Sequence, residues 1–297
     1  MVDGLVVVDK PAGATSHDVV AALRRVYGQR KVGHAGTLDP DATGVLLVGL
    51  GRATRLLRFL VDTQKEYRGT VVFGVATDTL DAAGAVLERT PMPRTRSQVE
   101  AAARRFVGSI EQVPPMVSAV KVGGRRLYEL AREGVEVERA PRTVRIDRID
   151  VEEVVPGPFP EATLRVTCGS GTYVRALAAD LGAALGGPAH LRDLCRLRVG
   201  SFAIAEARSL EAIAADPAAA LRTPADAMRD LPARRLGPEE ARAVTHGATF
   251  AARVLVGPEA GAGPFAMLDE SGALLAVYER TGAGLKPAVV MAPGASS

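Results

Sequence analysis

Apolar residues fall in blocks of different period along the chain. Residues 5–8 are an unbroken apolar run, the pattern of a short strand buried on both faces. A turn at Lys10, Pro11 and Gly13 then leads to Thr15 and Ser16, which can cap a helix carrying Val19, Val20, Leu23, Val26 and Tyr27 at helical spacing. Asp18 suits its first turn and Gly28 its end. Residues 45–50 predict a second buried strand, and Leu56, Leu57, Phe59 and Leu60 a short helix. Alternation over 67–73, and again through Val86 and Leu87 after a turn at Gly84, predicts further strands. A helix is expected over 97–106, and Val113, Pro114 and Pro115 impose an extended break. Residues 120–134 read as a glycine turn feeding a short basic helix, an excursion from the sheet. Residues 144–155 and 162–168 alternate as strands. A turn over 169–172 then opens a helix through Val174, Leu177, Ala178 and Leu181, which closes at Gly186 and Gly187.

Strands interleaved with helices and joined by hairpin-like connections place the chain in the α+β class, with a mixed, largely antiparallel sheet flanked by helices. The alanine- and proline-rich stretch at about 212–232 reads as a linker. Beyond it, a helix over 239–244 and alternating runs at 265–268 and 274–278 indicate a small β-rich unit. The expected domains are 1–230, with the basic excursion at about 118–145, and 231–297, fraying after residue 291.

At 297 residues and 47% hydrophobic content the chain can bury a core without staples. Cys168 and Cys195 lie near only one histidine, His190, a spacing that fits no zinc pattern. The start carries an acid and no basic n-region, and nowhere do 18 apolar residues run together, so a soluble, cytoplasmic protein is expected. Net charge is only +3, but basic residues concentrate in the first half: eight Lys/Arg against five Asp/Glu in residues 121–148, and six against six in 231–297. With no tryptophan and 4% aromatics, a nucleic acid would be recognised by backbone charge and shape rather than on a stacking platform.

Candidate chemistry concentrates in residues 33–49. There a turn of glycines, His34, Asp39, Pro40 and Asp41 leads into a strand, the way polar side chains are fixed at a sheet edge. The string from Gly4 to Ser16, with Asp9, Lys10, Pro11, Gly13 and Thr15, precedes it. Lys65-Glu66-Tyr67, Thr77-Asp78-Thr79, Pro114-Pro115 with Ser118 and Lys121, Leu127-Tyr128 with Arg132, and Gly171-Thr172-Tyr173-Val174-Arg175 follow in order. Together these strings, spanning about residues 4–210, resemble the tRNA pseudouridine-55 synthases, the TruB family. The resemblance implies a pseudouridine synthase fold ending in a PUA-like module. It also implies conversion of uridine 55 in the T loop of tRNA to pseudouridine after base flipping.

Such an isomerisation needs no redox change, energy source or group donor, so no cofactor or metal is expected. An aspartate is a competent covalent catalyst at a glycosidic carbon, which makes Asp39 the expected nucleophile, attacking the sugar C1′ or the base C6 or working through elimination at the sugar. The resemblance assigns Arg175 as its ion-pair partner and Tyr67 as the ring that stacks on uracil and accepts the C5 proton. It further has His34 pack against the displaced nucleotides, and Tyr173 and Leu194 line the pocket. Lys10, Lys31, Lys121, Arg125, Arg126 and Arg132 are the expected phosphate contacts. The expected partner is the T-arm of tRNA, engaged by a monomer with no membrane and no protein partner. Two other readings are a non-catalytic tRNA-folding factor and a glycosidase using Asp39 and Asp41 as a carboxylate pair.

Overall fold

A computed structural model describes residues 1–118, 121–122, 124–126, 133, 135, 137–251, 261–282 and 284–291; for Lys121, Val122 and Arg126 it describes the backbone only. The chain begins with β1 (Gly4–Lys10), α1 (Ser16–Val26), β2 (Val32–Ala35) and β3 (Thr43–Leu50). A 3-10 turn (Gly51–Leu56) and α2 (Leu57–Val61) lead to β4 (Lys65–Phe73) and the hairpin of β5 (Val75–Thr77) and β6 (Val86–Arg89). Next come α3 (Arg96–Arg104), β7 (Gly108–Gln112), the small hairpin of β8 (Lys121–Val122) and β9 (Arg125–Arg126), β10 (Arg142–Val155) and β11 (Glu161–Cys168). Helix α4 (Val174–Ala184), β12 (Ala189–Val199) and β13 (Phe202–Ala203) complete the main body. Three short helices, α5 (Leu210–Ala215), α6 (Pro217–Ala220) and α7 (Pro224–Ala227), precede β14 (Ala233–Arg235), α8 (Pro238–Thr245) and β15 (Phe250–Ala251). The described chain ends with β16 (Phe265–Leu268), β17 (Leu274–Thr281) and β18 (Gly284–Val290).

The main sheet has nine strands in the order β1-β3-β12-β4-β11-β10-β7, with β2 on β3 and β13 on β12. All its pairs are antiparallel except β3 with β12, so the sheet is mixed and largely antiparallel, as the sequence pattern predicts. That parallel contact is only two residues long, Cys195 opposite Thr43 and Arg196 opposite Gly44. Beyond it β2 takes over the same edge of β3. The loop that bears Asp39 enters the sheet at this junction.

Three layers of packing fix the frame. On one face of β1 and β3, Val6, Val8, Leu46 and Val48 pack on Val19, Val20 and Leu23 of α1. On the other, Leu5, Val7, Val45 and Leu47 share a core with Ala266, Leu274, Val277 and Val289 of the C-terminal sheet. Burial on both faces is why these two strands read as unbroken apolar runs. Helices α3 and α4 cover Val71, Phe73, Leu164 and Val166 further along the sheet. Helix α1 is capped by Thr15, which accepts from Asp18 N–H while the Asp18 carboxylate accepts from Thr15 N–H.

Strands β2 and β7 have no counterpart in the sequence pattern, and two larger departures have a physical reason. Strand β12, central in the sheet, was not predicted, because Arg192, Asp193, Arg196 and Arg198 mask its alternation with charge. The stretch read as a linker is packed structure. Ile213 and Ala220 are buried against β1 and α1, Ala227 and Met228 lie in the core shared with the C-terminal sheet, and the backbones of Leu5 and Arg222 bond to each other. Alanine-rich composition hid a cover whose few apolar anchors carry the packing. The glycine turn of the basic excursion is present between β8 and β9, whereas the helix expected after it and the tail after residue 291 lie outside the described residues.

Ile213 measures the cover directly. Ile213→Ala is expected to lower the unfolding free energy by about 2–4 kcal/mol in urea titration, while Ala214→Ser on the exposed side changes it by less than about 0.5 kcal/mol. A linker would show no difference between the two.

Candidate active site

The first motif of the chain proves to be a cradle for the second. Lys10, at the end of β1, is 0% exposed, and its ammonium donates to the carbonyl oxygens of Pro11, Ala14 and Pro40. Gly13 N–H also donates to Pro40 O, at 3.0 Å. Ser16 Oγ accepts from Leu38 N–H at 3.0 Å and donates to Leu38 O at 3.2 Å. Both neighbours of Asp39 are thereby tied to the turn between β1 and α1. Lys10 is corrected as a phosphate contact: all three of its protons are spent inside the protein, and its role is to hold the loop.

Arg175 meets Asp39 from the first turn of α4. Its guanidinium is 4% exposed and is ringed by acceptors. Nη2 donates to Asp39 Oδ1 at 3.1 Å and Nε stands 2.9 Å from Oδ2, so the fork meets both carboxylate oxygens as a bidentate ion pair. Nη2 also donates to Val117 O at 2.8 Å, and Nη1 donates to Thr79 O at 3.0 Å and lies 3.3 Å from the Asp81 carboxylate. Asp81 is brought in by a left-handed Leu80 (φ 63°), whose carbonyl accepts from Leu191 N–H of β12. Gln112 fixes the start of α4, accepting from Tyr173 N–H at 2.8 Å and donating to Tyr173 O at 3.1 Å.

These groups surround a cavity of about 260 Å³, lined by Asp39, Lys65, Tyr67, Tyr173, Leu194 and Arg196 among others. A second hollow of about 380 Å³ lies on the other side of the Asp39–Arg175 pair, and Asp41 belongs to that one. Burial pushes the Asp39 carboxyl above its ordinary range, Arg175 pulls it back and the nearby Asp81 charge raises it again. Burial likewise raises the Tyr67 phenol, and Arg196 opposes that rise. Lys65, buried and donating to Val61 O and Thr63 O, is brought down to about 8 by burial and by Arg196.

Five sequence-predicted residues therefore meet at one cavity: Asp39, Tyr67, Arg175, Tyr173 and Leu194. His34 does not line it; it stands on β2 with its ring edge-on to His17, centroids 5.5 Å apart. Lys31 is exposed beside Gly51, at the far end of β3 from the Asp39 loop. Arg125 is exposed and paired with Glu133. The side chains of Lys121 and Arg126, and Arg132 altogether, lie outside the described residues.

The sequence reading missed Asp81, Gln112 and Arg196. Arg196 is 1% exposed, stands opposite Tyr67 in the sheet, and donates to Val45 O at 2.7 Å and Gly36 O at 3.2 Å. Its run of alternating charges resembles a solvated face, so only the two-residue period of β12 could have revealed it. Gly44 is dictated by the same contact: its φ is +98°, and a Cβ there would lie 2.3 Å from Arg196 O. Among the described residues no group of three or more His, Cys, Asp or Glu is placed to hold a metal ion, and no helix is long and apolar enough to cross a membrane.

The chain is similar to known proteins over most of its length. The family described as TruB family pseudouridylate synthase (N terminal domain) matches residues 24–174. The tRNA pseudouridine synthase B of Symbiobacterium thermophilum is 53% identical over 253 residues, 85% of this chain and 84% of that protein. That of Mycobacterium sp. (strain KMS) is 47% identical over 293 residues, 98% of this chain and 96% of that protein. Among solved structures, a chain of a Cbf5-Nop10-Gar1 complex superposes with a TM-score of 0.75 at 26% identity, covering 98% of this chain and 85% of that one. With its Asp39 loop, its sheet and its arginine-held carboxylate described, the chain belongs to the TruB family of pseudouridylate synthases.

Proposed function

We propose that this chain converts uridine 55 in the T loop of tRNA to pseudouridine, with Asp39 as the nucleophile acting on a uridine flipped into the cavity beside it. The observation that carries the reading is the bidentate Asp39–Arg175 pair at the wall of a cavity floored by Tyr67. The tRNA pseudouridine synthase B relatives support tRNA as the substrate.

The reaction breaks the N1–C1′ bond, turns the uracil, joins C5 to C1′ and moves the C5 proton away, while N1 gains one. Nothing is consumed. Asp39 supplies the electron pair and must be a carboxylate to do so, a form that desolvation opposes and the Arg175 fork restores. In this reading Tyr67 and Leu194, which both line the cavity, sandwich the base and repay part of its unstacking. Tyr67 also accepts the C5 proton in this reading, and Arg196 favours the phenolate this needs. Residues 1–230 act as the catalytic domain, with the basic excursion at 118–145 lying on RNA phosphates, and 231–297 as the small β-rich PUA-like domain. The enzyme works as a cytoplasmic monomer without a protein partner. Of the two carboxylates only Asp39 lines the cavity that holds Tyr67, and Asp41 does not reach it.

Three outcomes are expected in assays of a T-arm transcript by chromatographic nucleoside analysis. Asp39→Asn should bring turnover below about one ten-thousandth of wild type while RNA affinity changes by less than about threefold, since phosphate contacts dominate binding. Clear residual turnover would remove Asp39 from the nucleophile's role. Arg175→Lys keeps the charge and loses the fork, and should slow turnover on the order of 100-fold; Arg24→Lys, on the exposed face of α1, should not, and equal effects would refute the pairing. Finally, turnover should rise with pH as Asp39 ionises, with a midpoint above the ordinary aspartate value of 3.8. Because the Asp81 charge raises the Asp39 pKa, Asp81→Asn should move that acid limb to lower pH; movement to higher pH would contradict the assigned electrostatics.

A further inference from the structure

Among the described residues, three buried side-chain polar atoms have no hydrogen-bond partner: His34 Nδ1, Ser118 Oγ and Arg139 Nε. Only one of the three residues, Ser118, lines the Asp39 cavity. It is 6% exposed, so its hydroxyl carries the cost of an unmade bond that a ligand can remove.

The segment that presents Ser118 is fixed rather than loose. Pro114 and Pro115 stiffen it, Arg139 Nη1 donates to Pro114 O at 3.0 Å, and Ser118 N–H donates to Met116 O at 3.0 Å. The preceding carbonyl, Val117 O, shares Arg175 Nη2 with Asp39: the nitrogen donates to Val117 O at 2.8 Å and to Asp39 Oδ1 at 3.1 Å. Ser118 therefore stands beside the place where the sugar–base junction of the substrate must lie for Asp39 to reach it. A serine hydroxyl turns about one bond, so a rotamer change suffices to bring it to a bound nucleotide.

We propose that Ser118 is a substrate-binding residue whose hydroxyl donates a hydrogen bond to an acceptor flanking the glycosidic bond of the target uridine. Two atoms of uridine supply that chemistry, the ribose 2′-oxygen and the C2 carbonyl oxygen of the base. The first would let the site distinguish RNA from DNA, and the second would fix the base before it turns. The inference rests on the proposed pseudouridylation and adds a contact that the Asp39, Tyr67 and Arg175 constellation does not supply.

The test is a binding cycle free of chemistry. Dissociation constants are measured for Asp39→Asn and for Asp39→Asn/Ser118→Ala, with T-arm transcripts carrying uridine, 2-thiouridine or 2′-deoxyuridine at the target position. On uridine, removing the hydroxyl should weaken binding about three- to tenfold, the range of a single hydrogen bond. On the analogue that lacks the acceptor the loss should fall below about twofold, since a contact already absent cannot be lost again. Loss of the effect with 2′-deoxyuridine assigns the ribose, and with 2-thiouridine the base. No effect on uridine, or the same effect on all three transcripts, overturns the proposal, because a purely structural serine would weaken every complex alike. Wild-type protein acting on the uridine transcript is the accompanying control. If it forms pseudouridine while the cycle fails, only the Ser118 contact is lost; if it forms none, the proposed function fails and the contact with it.

Discussion

Everything in this site turns on one guanidinium. Arg175 has five N–H donors in a rigid plane, and the structure supplies five acceptors: two oxygens of Asp39, one of Asp81 and the carbonyls of Thr79 and Val117. Those acceptors come from the β2–β3 loop, the β5–β6 hairpin and the segment after β7. The arginine thus fastens three loops at once and sets the carboxylate that the chemistry needs. A buried cation with unmet donors would be costly, so each loop is held in place by the others.

The second constraint is on the opposite side of Asp39. Lys10 and Ser16 bind the loop through backbone atoms of Leu38 and Pro40, which fixes the main chain without touching the reactive side chain. Arg196 then spans the junction where β3 and β12 run parallel, bonded to Gly36 O and Val45 O at the two ends of the loop. The Asp39 side chain is left partly exposed at the cavity, while its charge partner is buried. Reactive group outside, rigid support inside is the arrangement that preorganisation asks for.

Most of this frame was legible in residue order. Periodicity found β1, α1, β3, β4, β10, β11 and α4, because each has one clean apolar face or is apolar throughout. It missed β12 for a physical reason: an arginine can be buried in a central strand when carbonyls take its protons, and a hydropathy pattern scores it as surface. The cover at α5 to α7 escaped because alanine packs by fitting closely rather than by bulk, leaving Ile213 and Met228 as sparse signals. Motif strings led to Asp39, Tyr67, Tyr173 and Arg175, and the resemblance they carry to Leu194; the fold brings them together from the β2–β3 loop, β4, the start of α4 and β12. The same reading misjudged Lys10, since nothing in a sequence separates a lysine that donates to three carbonyls from one that meets a phosphate.

The account's central claim is that Arg175 holds Asp39 in its carboxylate form against the cost of burial. Carbon-13 NMR of protein labelled at the aspartate carboxyl groups, with the Asp39 signal identified by its loss in Asp39→Asn, measures this directly. Replacing Arg175 with glutamine should raise the Asp39 pKa above its wild-type value, because the largest influence lowering it has been removed while desolvation and the Asp81 charge remain. A pKa that stays the same or falls in Arg175→Gln would contradict the account.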